Sequence, residues 1–167
     1  MSDTDAALRA LEARLRVLED MEAIRRLKAH YAELVDARYA EGRVADPGAV
    51  EKLAIRIGAL FTEYAVWDGG TALGICRGRE AIRERMANPT LRFSWHYFVK
   101  PRIEVQGDSA TGRWDLLAPC TTVDDRPMWM AGVEDDVYAR VGGEWLHASM
   151  KLRVVFMAPH DRGWVKK

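Results

Sequence analysis

The chain has 167 residues, with 25 Lys and Arg against 25 Asp and Glu, so its formal net charge is zero. That balance argues against a nucleic-acid-binding role, which carries a basic excess or stripe; no apolar run approaches the roughly 20 residues of a membrane span. Apolar residues at 49 % and charged residues at 30 % describe one soluble globular domain, long enough to bury about 70 % of its unfolded surface.

Ser2, Asp3 and Thr4 offer N-caps. Beyond them Leu8, Leu11, Leu15, Leu18, Met21, Ile24, Leu27 and Tyr31 recur at steps of three and four. This spacing predicts a long amphipathic helix ending around Tyr39–Gly42. Its first half, Ala6–Glu19, is a leucine stripe among Arg and Glu. Two readings stand side by side: a surface helix docked on its own domain, or an arm gripping a neighbouring subunit. The division is an N-terminal helical extension over 1–20, a domain over 21–160, and a tail over 161–167.

Asp46-Pro47 has the cap-then-proline order of a helix start, with Val50, Leu53, Ile57, Leu60 and Phe61 as its apolar face. From Thr62 the period becomes two. Tyr64, Val66 and Trp67, then Leu73 and Ile75, flank Asp68-Gly69-Gly70, which reads as a hairpin. Arg79–Met86 is a short helix stopped by Asn88-Pro89. The remainder is strand-like: Arg92–Val99, Arg102–Val105, Thr111–Thr122, Met128–Arg140 and Trp145–Met157. Helices first and an antiparallel meander after them give an α+β layout. A strongly curved sheet closed by helices makes a cone with a pocket, where ligands bind. Six Trp and seven Met suit the wall of such a pocket or an apolar interface.

Together these stretches resemble the SnoaL-like branch of the NTF2-like superfamily from about Met21 to Phe156. The carriers are Met21-Glu22-Ala23-Ile24-Arg25-Arg26-Leu27 leading to Tyr31 and Asp36, then Ser94-Trp95-His96, Thr111-Gly112-Arg113-Trp114 and Met150-Lys151-Leu152-Arg153. Within the superfamily the chain is most similar to the bile-acid 7α-dehydratases and more distantly to scytalone dehydratase. The resemblance implies catalytic roles for Tyr31, Asp36, His96 and Arg153. It also places a strand carboxylate four residues after Trp114, where this chain has Ala118; Asp115 has the opposite strand parity.

Each candidate has its own chemistry. Tyr31 and Asp36 lie about 140° apart around a helix, so both reach a pocket only if Asp36 sits in the last turn. Alternation puts Ser94, His96 and Phe98 on one face and Trp95, Tyr97 and Val99 on the other. His96 is the natural proton-transfer group, with an Asp to orient it. A partly buried Arg153 needs a carboxylate or a ligand oxygen, and Asp36 is one choice. Trp114, Ala118, Phe98 and His147 are the substrate-contacting candidates. Glu134-Asp135-Asp136 alternates across a strand, so one ion cannot meet all three; it reads as a solvated or interface run. No phosphate loop, zinc spacing or nucleophile elbow is present.

The expected function is a cofactor-free, metal-free dehydratase or isomerase acting on an apolar ring compound, steroid- or polyketide-like. The alternatives are a non-catalytic binding protein for the same ligands, and an assembly protein. The expected partners are that small molecule and further copies of the chain, in a homodimer or homotrimer, with no nucleic acid and no membrane. Cys76 and Cys120 match neither a zinc pattern nor a secreted disulfide framework. The charged N-terminus is unlike a signal peptide, and the expected location is the cytoplasm.

Overall fold

The computed structural model describes residues 2–161. Helix α1 spans Asp3–Asp36 and opens with a capping box: the Asp5 amide donates to Ser2 Oγ and the Ser2 amide to the Asp5 carboxylate. Residues 2–19 are exposed throughout, and Leu8, Leu11, Leu15 and Leu18 are 56–61 % exposed. The stripe therefore does not dock on its own domain. From Asp20 onward the helix turns Ile24, Tyr31, Leu34 and Val35 into the core.

The helix ends at Asp36, earlier than the periodicity suggested. The chain turns instead through a small hairpin, β1 (Tyr39–Ala40) and β2 (Arg43–Val44). Glu41 and Gly42 take the positive φ of 51° and 74° that a tight hairpin turn requires.

Helix α2, Pro47–Ala59, starts as expected: Asp46 accepts from the Ala49 amide and Pro47 occupies the first turn. Strand β3 (Phe61–Asp68) pairs antiparallel with β4 (Ile75–Arg77), but a short helical turn, α3 (Gly70–Leu73), joins them. Helix α4 covers Arg79–Ala87. Strands β5 (Phe93–Ser94), β6 (Tyr97–Gln106), β7 (Ser109–Thr121), β8 (Pro127–Val141) and β9 (Glu144–Pro159) complete the chain.

The sheet runs β4-β3-β9-β8-β7-β5, with β6 also on β7. Only β3–β9 is parallel among these pairs, matching Trp67 to Met150. The ladder shifts register between Val99 and Arg102, between Ala131 and Gly132, and between Val137 and Tyr138. Such irregularities bend strands and increase twist. The result is the α+β cone: α1, α2 and α4 are packed against a curved, mostly antiparallel sheet. One core joins Tyr31, Leu34 and Val35 to Ala54, Ile57, Phe61 and Ile82; another joins Ile24 to Trp114, Tyr138 and Trp145.

The tryptophans divide accordingly. Trp67, Trp114 and Trp145 are buried, whereas Trp95 is exposed beside Tyr97 and Val99. Trp164 and the tail beyond Asp161 lie outside the described residues.

Candidate active site

A largely apolar cavity lies between the helices and the concave sheet. Tyr31 and Val35 of α1 form one wall, Met86 of α4 another, and Leu116, Met130 and Leu152 the sheet side. His96 reaches it from the break between β5 and β6.

Asp36, the last residue of α1, is buried behind His96. Its Oδ1 lies 2.6 Å from His96 Nδ1, and its Oδ2 accepts the His96 amide at 3.0 Å. One carboxylate thus holds both the ring and the backbone of the histidine. A carboxylate can only accept, so Nδ1 is the donor of this contact and Nε2 is the ring nitrogen turned away from Asp36. Nε2 lies 3.3 Å from Ser94 Oγ, and Phe98 stacks on the ring at 5.9 Å.

Tyr31 lines the same cavity. Its oxygen accepts from Trp67 Nε1 at 3.3 Å, and no acceptor for its own proton is present among the described residues. Burial above all, then the charge of Glu134, raises its pKa well above the usual phenol value. It therefore stays a phenol, with a proton to donate.

Below Tyr31 lies a buried charged cluster. Lys28, 1 % exposed, makes an ion pair with Glu134 and another with Asp136 at 2.8 Å. Its ammonium also lies 4.2 Å from the Phe98 ring centre. Burial pulls Lys28 down, but the two carboxylates outweigh it and its pKa is raised. Burial lifts Asp136 to about 6 despite Lys28. Tyr138 donates to Asp136 at 2.7 Å and accepts from Trp114 Nε1 at 3.0 Å.

His147, fully buried among Tyr31, Phe61 and Tyr138, completes this layer. Burial, then Lys28, pushes its pKa well below 6.5, so it is neutral. Both its ring nitrogens and Asp136 Oδ1 lack a hydrogen-bond partner among the described residues.

The fold and this geometry meet one family description: a SnoaL-like domain model matches residues 16–151. The chain belongs to the SnoaL-like family. Among solved structures it is similar to a hexachlorocyclohexane dehydrochlorinase (LinA) type 2, at TM-score 0.71 and 22 % identity over 87 % of this chain and 92 % of that one. A scytalone dehydratase-like protein from Novosphingobium aromaticivorans gives 0.68 and 21 %, over 89 % and 97 %. ActVI-ORFA from Streptomyces coelicolor gives 0.60 and 18 %, over 80 % and 96 %. No curated protein matches the sequence.

On this SnoaL-like frame the structure brings Asp36, His96 and Tyr31 together and leaves Arg153 out. Leu152 and Val154 line the cavity, so Arg153 between them points away; it is exposed and makes no ion pair with Asp36. The four substrate-contacting candidates lie behind the wall. Trp114 packs in the core with its N–H on Tyr138, and His147 is sealed beneath Tyr31. Phe98 bridges His96 and Lys28 without reaching the cavity lining. Ala118 points the same way as its lining neighbours Leu116 and Cys120, but its methyl is too short to reach the surface between them.

Glu134 and Asp136 are not solvated: both are buried, and only Asp135 between them faces out, toward Arg113. Three residues escaped the sequence reading: Lys28, Glu134 as a lining acid, and Arg38. Lys28 had a visible signal, because Ile24, Lys28 and Tyr31 share one helical stripe and a lysine in a core stripe demands a carboxylate.

Proposed function

We propose that the chain is a cofactor-independent lyase or isomerase in which His96 removes a proton from an apolar ring substrate. The observation that carries the reading is the Asp36–His96 contact of 2.6 Å at the wall of an apolar cavity. His96 Nε2 takes the proton, and Asp36 stabilises the imidazolium that forms. The electron pair left on carbon forms a double bond, either expelling a leaving group or delocalising into a carbonyl. Tyr31, a phenol with a free proton, donates to the oxygen that gains charge. Two of the similar structures bear the names of elimination enzymes, a dehydrochlorinase and a scytalone dehydratase-like protein, which supports this class of reaction. The substrate proposed is steroid- or polyketide-like.

A bicyclic ketone with acidic C–H bonds, 2-tetralone, tests proton abstraction without the natural substrate. In D2O the protein should speed deuterium incorporation, followed by NMR, and His96→Ala should lower that rate by roughly 10²–10⁴. Equal exchange with both proteins would remove His96 from the chemistry. Tight binding without exchange would favour a ligand-binding protein built on the same cavity.

The exposed face of Trp95, Tyr97 and Val99, together with the bare leucine stripe of α1, supports a homodimer or homotrimer. A cytoplasmic location is part of the same proposal and fits the two unpaired cysteines.

A further inference from the structure

Arg38 stands two residues beyond Asp36 and lines the cavity, only 7 % exposed. Its Nε donates to the Val35 carbonyl at 3.0 Å and its Nη1 to the Met86 carbonyl at 3.0 Å. These are C-terminal carbonyls of α1 and α4, and they orient the guanidinium without neutralising it. A guanidinium has five N–H donors, so Nη2 and one N–H of Nη1 are unspent.

Buried charges are normally paired. Lys28 has two carboxylates, and even the half-buried Arg140 has Asp20 and Asp108. Arg38 has no carboxylate within 4.0 Å among the described residues. The acid nearest in sequence, Asp36, has both oxygens committed to His96. Arg85 lines the same cavity and is held by Thr90 Oγ1 at 3.0 Å, again without an acidic partner among the described residues.

We propose that Arg38, assisted by Arg85, binds the carboxylate of the ligand, so that the cavity takes a small apolar ring acid rather than a neutral ring compound. This rests on the reading of the cavity as the substrate pocket and names the class of substrate. The carboxylate accepts from the free Nη2–H groups of Arg38, a charge-assisted contact in a water-poor setting. That anchor fixes the ring against Met86, Leu116 and Leu152, leaving another edge for His96 Nε2 and Tyr31.

The test uses 2-naphthoate and 2-naphthamide, which share one apolar body and differ in charge, titrated calorimetrically. The wild-type protein should bind the naphthoate at least about tenfold more tightly. Arg38→Gln should abolish that preference while retaining naphthamide binding, which also reports that the variant is folded. Arg85→Gln, at a half-buried position, should reduce the preference about threefold and serves if Arg38→Gln does not fold. Equal binding of both probes by the wild type, binding of neither, or an unchanged preference in both arginine variants would overturn the proposal. Equal binding alongside His96-dependent exchange of 2-tetralone would overturn it while leaving the proton-abstraction reading intact.

Discussion

Replacing Lys28 with Met keeps most of the apolar stem and removes the ammonium, which separates the charge from the packing. In the native cluster one cation faces two carboxylates, Glu134 and Asp136, all three buried. The variant leaves two buried acids and no cation. Removing one partner of a buried pair costs about 3–5 kcal/mol, because an uncompensated charge remains. For a domain of this size each kcal/mol moves Tm by about 2–4 °C, so Tm should fall by roughly 6–20 °C.

The sign with pH follows from Asp136. Its folded pKa, already raised to about 6 from 3.8, climbs further without Lys28, whose charge lowers it. A carboxyl raised in the folded state contributes stability below its unfolded pKa and loses it as pH rises through the folded value. The deficit of Lys28→Met should therefore be largest at pH 8 and smaller at pH 5, where protonation of Asp136 removes one of the two unpaired charges. Circular-dichroism melts of both proteins across that range measure it. Adding Glu134→Gln and Asp136→Asn to Lys28→Met should restore much of the loss, since no unpaired charge is left. A loss below about 1 kcal/mol, or one independent of pH, would refute the claim that Lys28 neutralises a buried pair.

His147→Leu should flatten the acid side of the stability curve. The native histidine is held neutral, so its contribution is complete above pH 6.5 and falls by about 1.4 kcal/mol per pH unit below it; denaturant titrations at pH 7 and pH 5 compare the slopes, and an unchanged slope would show that His147 takes a proton in the folded state. Deleting residues 2–19 removes the exposed leucines without touching Asp36 or His96. The deletion should lower the assembly size measured by light scattering, and an unchanged mass would take the arm out of the assembly.

Much of this architecture was legible because it rests on local periodicity. The stripe through Ile24 and Tyr31, the cap at Asp46-Pro47 and the strand alternation around His96 each report burial directly from spacing. Alternation placed Ser94, His96 and Phe98 on one side, and the exposure of Trp95, Tyr97 and Val99 follows that split. Parity alone does not say which side faces the cavity. For β9 the charged set Lys151 and Arg153 faces outward, and the apolar set Leu152 and Val154 lines the pocket. The pairing of Lys28 with Glu134 and Asp136 spans more than a hundred residues of sequence, and only the sheet register brings those acids under α1.

The position of the base has a cause in the chain itself. Strand β7 carries Pro119 between Ala118 and Cys120, opposite the stretch where β5 gives way to β6. Proline offers a carbonyl but no N–H, so the ladder loses a donor there. The Pro119 carbonyl takes the Trp95 amide at 3.1 Å, and the next amide, that of His96, turns instead to Asp36 at 3.0 Å. The carboxylate that ends α1 is the acceptor for the His96 amide. Ring and backbone of His96 are fixed by the same group, so Asp36→Asn would disturb both the proton on Nδ1 and the seat of the loop. The interruption between Ser94 and Tyr97 is what lets His96 stand at the cavity, with its Nε2 3.3 Å from Ser94 Oγ, rather than being packed flat against the sheet.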